Sequence, residues 1–373
     1  MEALATLIYF LVTIGILVSF HEFGHYAAAR LCGVKVLRFA VGFGKPLFTF
    51  KSKSQTEWVI AAIPLGGYVK LMDGRDSEQS ITVEDQAYAF DTQPLWQRSF
   101  IVAAGPLANF LLAILLLAFI YINGVPQLPA QIKAPAVQTL ADQLDMEAGD
   151  EILAWKAEGA EEFIPIVSWN DLRWRLLDAI TAEEGFSLEL ESESGEKHIV
   201  EFKAESLPRL TPDSDPFARL GILPMPGKNQ QGESTWFELQ LDPIDALVYA
   251  GERVWLITKV STRMMIGLVT GSTSLKQLSG PISIADMAGK SAQFGWQSFL
   301  SFLALLSISI GLLNLVPLPM LDGGQLLYDA WELVSGKRLS LELQGIFQKF
   351  GFIVIIALTI FAVFNDLQRF FPS

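Results

Sequence analysis

Four long apolar runs set the rhythm of this chain, at residues 4–20, 100–122, 299–316 and 350–364. With its flanks, each is long enough to cross a bilayer as a helix, which takes about 20 residues. They predict transmembrane helices within segments 1–29, 99–122, 297–324 and 350–373. Between them the pattern changes. In segment 30–98, residues 38–50 and 57–71 are rich in strand-forming residues and are separated by a polar KSKSQT turn, which predicts a β-hairpin. In segment 123–232, residues 138–153 lead through a Gly149-Asp150 turn into a strand, 169–180 has helical spacing, and 186–190 and 198–202 alternate as strands. That is a small αβ sandwich, followed by a linker at 207–232 rich in Pro, Asp and Gly. In segment 233–296, the apolar stretch at 242–270 is interrupted by Glu252, Arg253, Lys259 and Arg263, which predicts an amphipathic helix on the membrane surface. Residues 325–349 are expected to form a loop. The fold class is a polytopic α-helical membrane protein with four transmembrane helices, a membrane-associated β-hairpin and an extracytoplasmic αβ domain.

Composition agrees. The chain is 51% hydrophobic with a mean hydropathy of +0.37, more than a soluble core needs. A net charge of −13 excludes a nucleic-acid partner, because no basic face is available for phosphates. The lipid bilayer is the first partner. Segment 30–98 opens with four basic charges, Arg30, Lys35, Arg38 and Lys45, so it is expected on the cytoplasmic side. Residues 123–295 hold 26 acidic against 14 basic residues and are expected outside. The first run lacks the basic flank of a signal peptide and is expected to stay. Cys32 is the single cysteine, so no internal disulfide forms.

Chemistry concentrates at the end of the first run, His21-Glu22-Phe-Gly-His25. On a helix the two histidines fall on one face, the pattern of a zinc site in which the glutamate serves as base. Ionisable side chains at membrane depth are costly and point to function. A catalytic zinc wants a third protein ligand and an open position. Four spans and an outside N-terminus bring Asp322, after the third run, to the depth of the histidines. Asn109, the polar residue of the second run, is read as a helix-packing residue, and His198 as a surface or packing residue.

Taken together, HEFGH, GFGK, IPLGGYVK, AAGPLANF, SGPISIA and NLVPLPMLDGG resemble the bacterial site-2 proteases, intramembrane zinc metalloproteases, of the regulator of sigma-E protease type. The resemblance covers nearly the whole chain. It implies Zn²⁺ held by His21, His25 and Asp322, with Glu22 as base. It further implies that the hairpin folds back into the membrane, where Gly42, Phe43, Gly44, Gly66 and Gly67 meet the substrate, while Asn314 contacts the substrate backbone. The implied substrates are transmembrane segments of single-pass proteins, an anti-sigma factor already trimmed by another protease and remnant signal peptides, in a stress response at the bacterial inner membrane. Residues 138–202 resemble a PDZ domain, which would be periplasmic; members usually carry two, and this chain has room for one. Gln325 stands where relatives commonly have histidine, and little effect is expected. The alternative from another class is a membrane metal-ion transporter or sensor using the same His and Asp ligands, which has no need of Glu22.

Overall fold

The computed structural model describes residues 2–76, 82–208, 215–227, 234–271 and 279–370. Parts of the expected loop 30–98 (residues 77–81), of the expected linker 207–232 (209–214 and 228–232) and of segment 233–296 (233 and 272–278) lie outside the described residues. The chain forms two compact units, one made of Met1–Leu117 with Leu278–Ser373, the other of Ala118–Gln277.

The first unit begins with α1 (Glu2–Leu31), followed by β1 (Val36–Lys51) and β2 (Glu57–Leu71). The expected hairpin exists, but its register is not that of a simple ladder. Arg38 faces both Lys70 and Glu57, Phe39 both Val69 and Trp58, Ala40 both Tyr68 and Val59, and Val41 both Gly67 and Ile60. One half of β2 therefore flanks β1 on each side. Breaks at Gly42 and Gly66, with φ of 91° and 124°, allow this folding back, since a side chain rarely tolerates such angles. Next comes α2 (Leu95–Ile122).

The second unit opens with β3 (Val125–Gln127) and α3 (Leu140–Gln143), then β4 (Glu151–Ala157), β5 (Ile164–Pro165), α4 (Trp169–Ala182), β6 (Phe186–Glu191) and β7 (Lys197–Phe202). The sheet order is β5-β4-β6-β7, antiparallel throughout. Leu172, Leu176 and Ile180 of α4 pack on Ile152, Leu188 and the stacked rings of Trp155, Phe186 and Phe202. The helix starts where Ser168 accepts the Asp171 amide, a cap that satisfies an otherwise free donor. Within the expected linker, α5 (Pro216–Leu220) forms a short turn, and β8 (Phe237–Leu239) pairs with β3.

Among its described residues, segment 233–296 contains α6 (Pro243–Thr270), in the second unit, and also α7 (Pro281–Gln293), in the first, where one helix was expected. The three basic charges that interrupt α6 have protein partners. Arg253 donates to the Asn170 carbonyl at 2.6 Å, Lys259 to Asp178 at 2.8 Å, and Arg263 pairs with Asp178. Leu247, Trp255 and Ile266 stay exposed on α6.

The first unit closes with α8 (Trp296–Leu315), α9 (Asp322–Ser335) and α10 (Leu341–Phe370). The third apolar run, read at 299–316, forms α8, which stops at Leu315 because Pro317 and Pro319 cannot continue the hydrogen-bond ladder. One expectation is corrected here. Residues 325–349 are not a loop but most of α9 and the start of α10. Helices α1, α2, α8 and α10 are long and apolar enough to cross a membrane, with mean hydropathies of 2.1, 2.4, 2.0 and 2.3. Their exposed side chains, among them Leu7, Leu111 and Ile353, suit lipid rather than water.

Arg253 is buried, donates to the Asn170 carbonyl and shares Asp171 with Arg175, so its removal leaves that carbonyl without its donor and Asp171 with one cation instead of two. Arg253→Ala is expected to cost the second unit about 1–3 kcal/mol, read as earlier cleavage of α6 in limited proteolysis of the detergent-solubilised chain. The exposed neighbour Glu252→Ala should leave the pattern unchanged.

Candidate metal centre

In α1, His21 and His25 are one turn apart and face the same way, and Glu22 follows directly. The Nε2 atoms of the two rings are 3.2 Å apart. Asp322 Oδ2 lies 3.2 Å from His21 Nε2 and 3.4 Å from His25 Nε2. Ligands about 2.0–2.2 Å from a tetrahedral zinc sit roughly 3.3 Å from one another. The three atoms thus outline one face of such a tetrahedron. Asp322 Oδ2 is buried, yet no aligned hydrogen bond reaches it, close as the rings are. His25 Nδ1 lies 2.9 Å from the Ile101 carbonyl, which can only accept, so Nδ1 carries the proton and the Nε2 lone pair faces the triangle. The donor set fits a zinc ion.

The sequence around each residue explains its position. Gly24 lets α1 approach α2, because a Cβ there would strike the Ala104 carbonyl. Gly105 keeps the space beside the rings open, since its Cβ would overlap His25 Nε2 and meet His21 Cε1. Asp322 opens α9 just after the proline-broken end of α8. Its followers Gly323 and Gly324 lie against the carbonyls of Val316 and Leu318, where no side chain fits, so the intervening loop folds tightly over the start of α9. Further along, α9 is tied to α2. Arg98, 2% exposed, donates to both oxygens of Glu332 at 2.7 Å, and Ser99 donates to Asp329 at 2.9 Å. Burial pushes the Asp329 carboxyl up, outweighing the Ser99 hydrogen bond and the Arg98 charge. Gln325 donates to Asp329 at 3.1 Å; it stands outside the triangle.

A cavity of about 380 Å³ opens on this triangle, lined also by Glu22, Tyr68, Val69, Leu71, Met320 and Asn314. Asn314 is therefore at the site. Gly42, Phe43, Gly44, Gly66 and Gly67 are not in the cavity wall. Gly67 nevertheless sits directly behind it, where a Cβ would come within 3.4 Å of Glu22 Cγ. Phe43 stacks on Tyr68, their ring centres 6.3 Å apart, and lies where a Cβ on Gly66 would be. Sequence reasoning missed Tyr68, Gly105 and Asn109. The expectation for Asn109 needs correcting: its main chain joins helices, accepting from Ser307 Oγ at 2.8 Å, but its side chain reaches His21, with Nδ2 3.4 Å from Nδ1. The signal lay in the four-residue spacing of Ile101, Gly105 and Asn109, in and just before AAGPLANF, which puts them on one face of α2.

A family model, that of peptidase family M50, matches residues 9–358. The chain belongs to peptidase family M50. Relatives span it almost completely. The regulator of sigma E protease of Haemophilus influenzae is 31% identical over 96% of this chain and 98% of its own length. The regulator of sigma-E protease RseP of Escherichia coli K12 has the same identity and coverage. A protein of Ralstonia nicotianae named as a zinc metalloprotease is 34% identical over 98% and 99%. This M50 peptidase is thus a zinc metalloendopeptidase of the site-2 protease type, as its motifs suggested, and a membrane protein. The Ralstonia alignment runs over 457 positions against 373 residues here, an excess the size of a small domain.

Gly105→Ala is expected to drive the two imidazoles apart. Overpacking of this kind costs about 1–3 kcal/mol, which corresponds to roughly ten- to hundredfold weaker zinc binding in a chelator titration. Gly15→Ala in α1, whose Cβ meets nothing within 4 Å, should bind zinc normally.

Proposed function

We propose that His21, His25 and Asp322 are the zinc ligands and Glu22 the general base of an intramembrane protease. It would cut transmembrane segments of single-pass proteins near the cytoplasmic face of the bacterial inner membrane. The observation that carries this reading is the 3.2–3.4 Å triangle of donor atoms with Glu22 in the same cavity wall, on a helix able to span a bilayer.

A peptide bond in a transmembrane helix is shielded, with its carbonyl hydrogen-bonded internally. The enzyme must first draw it into extended form. The stretch of β2 from Tyr68 to Leu71 borders the cavity and can align such a segment as an added strand. Phe43, Gly66 and Gly67 shape that stretch from behind, and Gly42 and Gly44 adjoin the neighbouring residues Ala61 and Ile63 of β2. The Asn314 amide can donate to the substrate backbone. Zinc, when bound, polarises the scissile carbonyl and makes water nucleophilic at neutral pH. The Glu22 carboxylate takes a proton from the attacking water and passes it to the departing amide nitrogen as the C–N bond breaks.

The similarity to proteins named regulator of sigma-E protease supports an anti-sigma factor as one substrate; remnant signal peptides are proposed as a second class. The β5-β4-β6-β7 sheet with α4 supports reading the second unit as a periplasmic PDZ-like domain that admits only substrates already trimmed outside. The exposed apolar residues of α6 support its lying on the membrane surface.

The test is zinc content measured alongside cleavage of a model single-span substrate by the purified protein. Glu22→Gln should keep its zinc and lose at least a hundredfold in cleavage, the scale of a general base. Asp322→Ala should lose zinc. A Glu22→Gln variant that cuts normally, or a wild type that binds zinc and cuts no trimmed single-span substrate, would overturn the protease site and favour metal transport.

A further inference from the structure

Behind the ring of His21, outside the cavity wall, lies a group that neither ligates nor acts as base. Asn109 is 0% exposed, on α2, with its side chain against His21. Its Oδ1 is buried without a hydrogen-bond partner, while its Nδ2 is the atom turned toward His21 Nδ1. The two ends of a side-chain amide have nearly the same outline, so their assignment follows from what the surroundings can donate and accept.

The two orientations have different consequences for the metal. If Nδ2 donates to Nδ1, a neutral imidazole must carry its proton on Nε2. That is the atom 3.2 Å from both His25 Nε2 and Asp322 Oδ2, and protonated it has no lone pair for zinc. The unmet Oδ1 adds the cost of a buried acceptor left without a donor. With the amide turned over, Oδ1 accepts from Nδ1–H. The orphaned acceptor gains a donor, and the Nε2 lone pair faces the triangle. His25 already has this arrangement through the Ile101 carbonyl. Ile101 and Asn109 lie two turns apart on α2 with Gly105 between them, so a single helix face holds both imidazoles through Nδ1 and leaves both Nε2 atoms free.

We propose that Asn109 is a positioning residue whose Oδ1 accepts a hydrogen bond from His21 Nδ1 and thereby fixes the tautomer of His21 that binds zinc. The inference rests on the reading of His21 as a zinc ligand. Its side chain is separable from the helix packing, which uses the Asn109 main-chain carbonyl and Ser307.

Acceptor and donor can be told apart by substitution. Asn109→Asp can accept but not donate; Asn109→Leu has similar bulk and does neither. Zinc affinity of the full-length protein in detergent would be measured by competition with a graded chelator, with gel filtration and circular dichroism to establish that each variant is folded. Asn109→Asp is expected to bind zinc within a few-fold of wild type, and Asn109→Leu about 10–100-fold more weakly, the usual effect of losing a partner behind a ligating histidine. Leu binding as tightly as wild type, or Asp weakened as much as Leu, would overturn the inference. If the Leu variant does not fold, the Asp variant decides alone: retained affinity supports the acceptor role and lost affinity refutes it. His21→Ala and Asp322→Ala run in the same assay separate the two levels. If they keep zinc, the ligand assignment fails; if they lose it while Asn109→Leu does not, only the role of Asn109 fails.

Discussion

Two imidazoles and a carboxylate held within 3.4 Å of one another, with no aligned hydrogen bond to the carboxylate oxygen, impose a demanding condition on the structure around them. Groups this polar gain nothing from apolar surroundings, and left to themselves they would turn toward water or pair differently. Their convergence must come from the elements behind them. Much of the first unit can be understood as a means of enforcing it: α1 supplies two donors at helical spacing, α2 holds the rings from behind, and α9 delivers the third donor at its first residue.

The enforcing contacts are mostly steric, made where side chains are missing. Gly24 and Gly105 let α1 and α2 approach until the rings rest on the face of α2, and Gly323 and Gly324 let the loop after α8 fold back over α9. Directional contacts then limit rotation. The Ile101 carbonyl orients His25, and the Arg98–Glu332 pair with the Ser99–Asp329 hydrogen bond ties α9 to α2. An ion pair as buried as Arg98 with Glu332 adds little net stability. Its value here is geometric, since it leaves α9 one orientation.

The same economy of unpaired groups explains the β-structure and the second unit. Where β1 and β2 form their doubled register, backbone groups on both sides of Arg38–Val41 are matched, so neither edge of that stretch is left open. In α6, the three basic charges are taken up by Asn170 and Asp178 of the αβ unit, while Leu247 and Trp255 stay exposed.

The sequence alone determined what depends on local order and on composition. Apolar length specified the four long helices, helical spacing put His21, Glu22 and His25 together, and β-rich stretches marked both the hairpin and the αβ unit. It also pointed to Asp322, though through topology and depth rather than through any contact. Only the tertiary structure could decide what depends on which faces meet. It split β2 around β1, replaced an expected loop by α9, and changed Asn109 from a packing residue into a neighbour of His21. The physical reason is the same in each case: helix formation and membrane crossing are properties of a few turns of chain, whereas a hydrogen bond between residues 88 positions apart exists only once two helices have been brought to a particular distance and rotation.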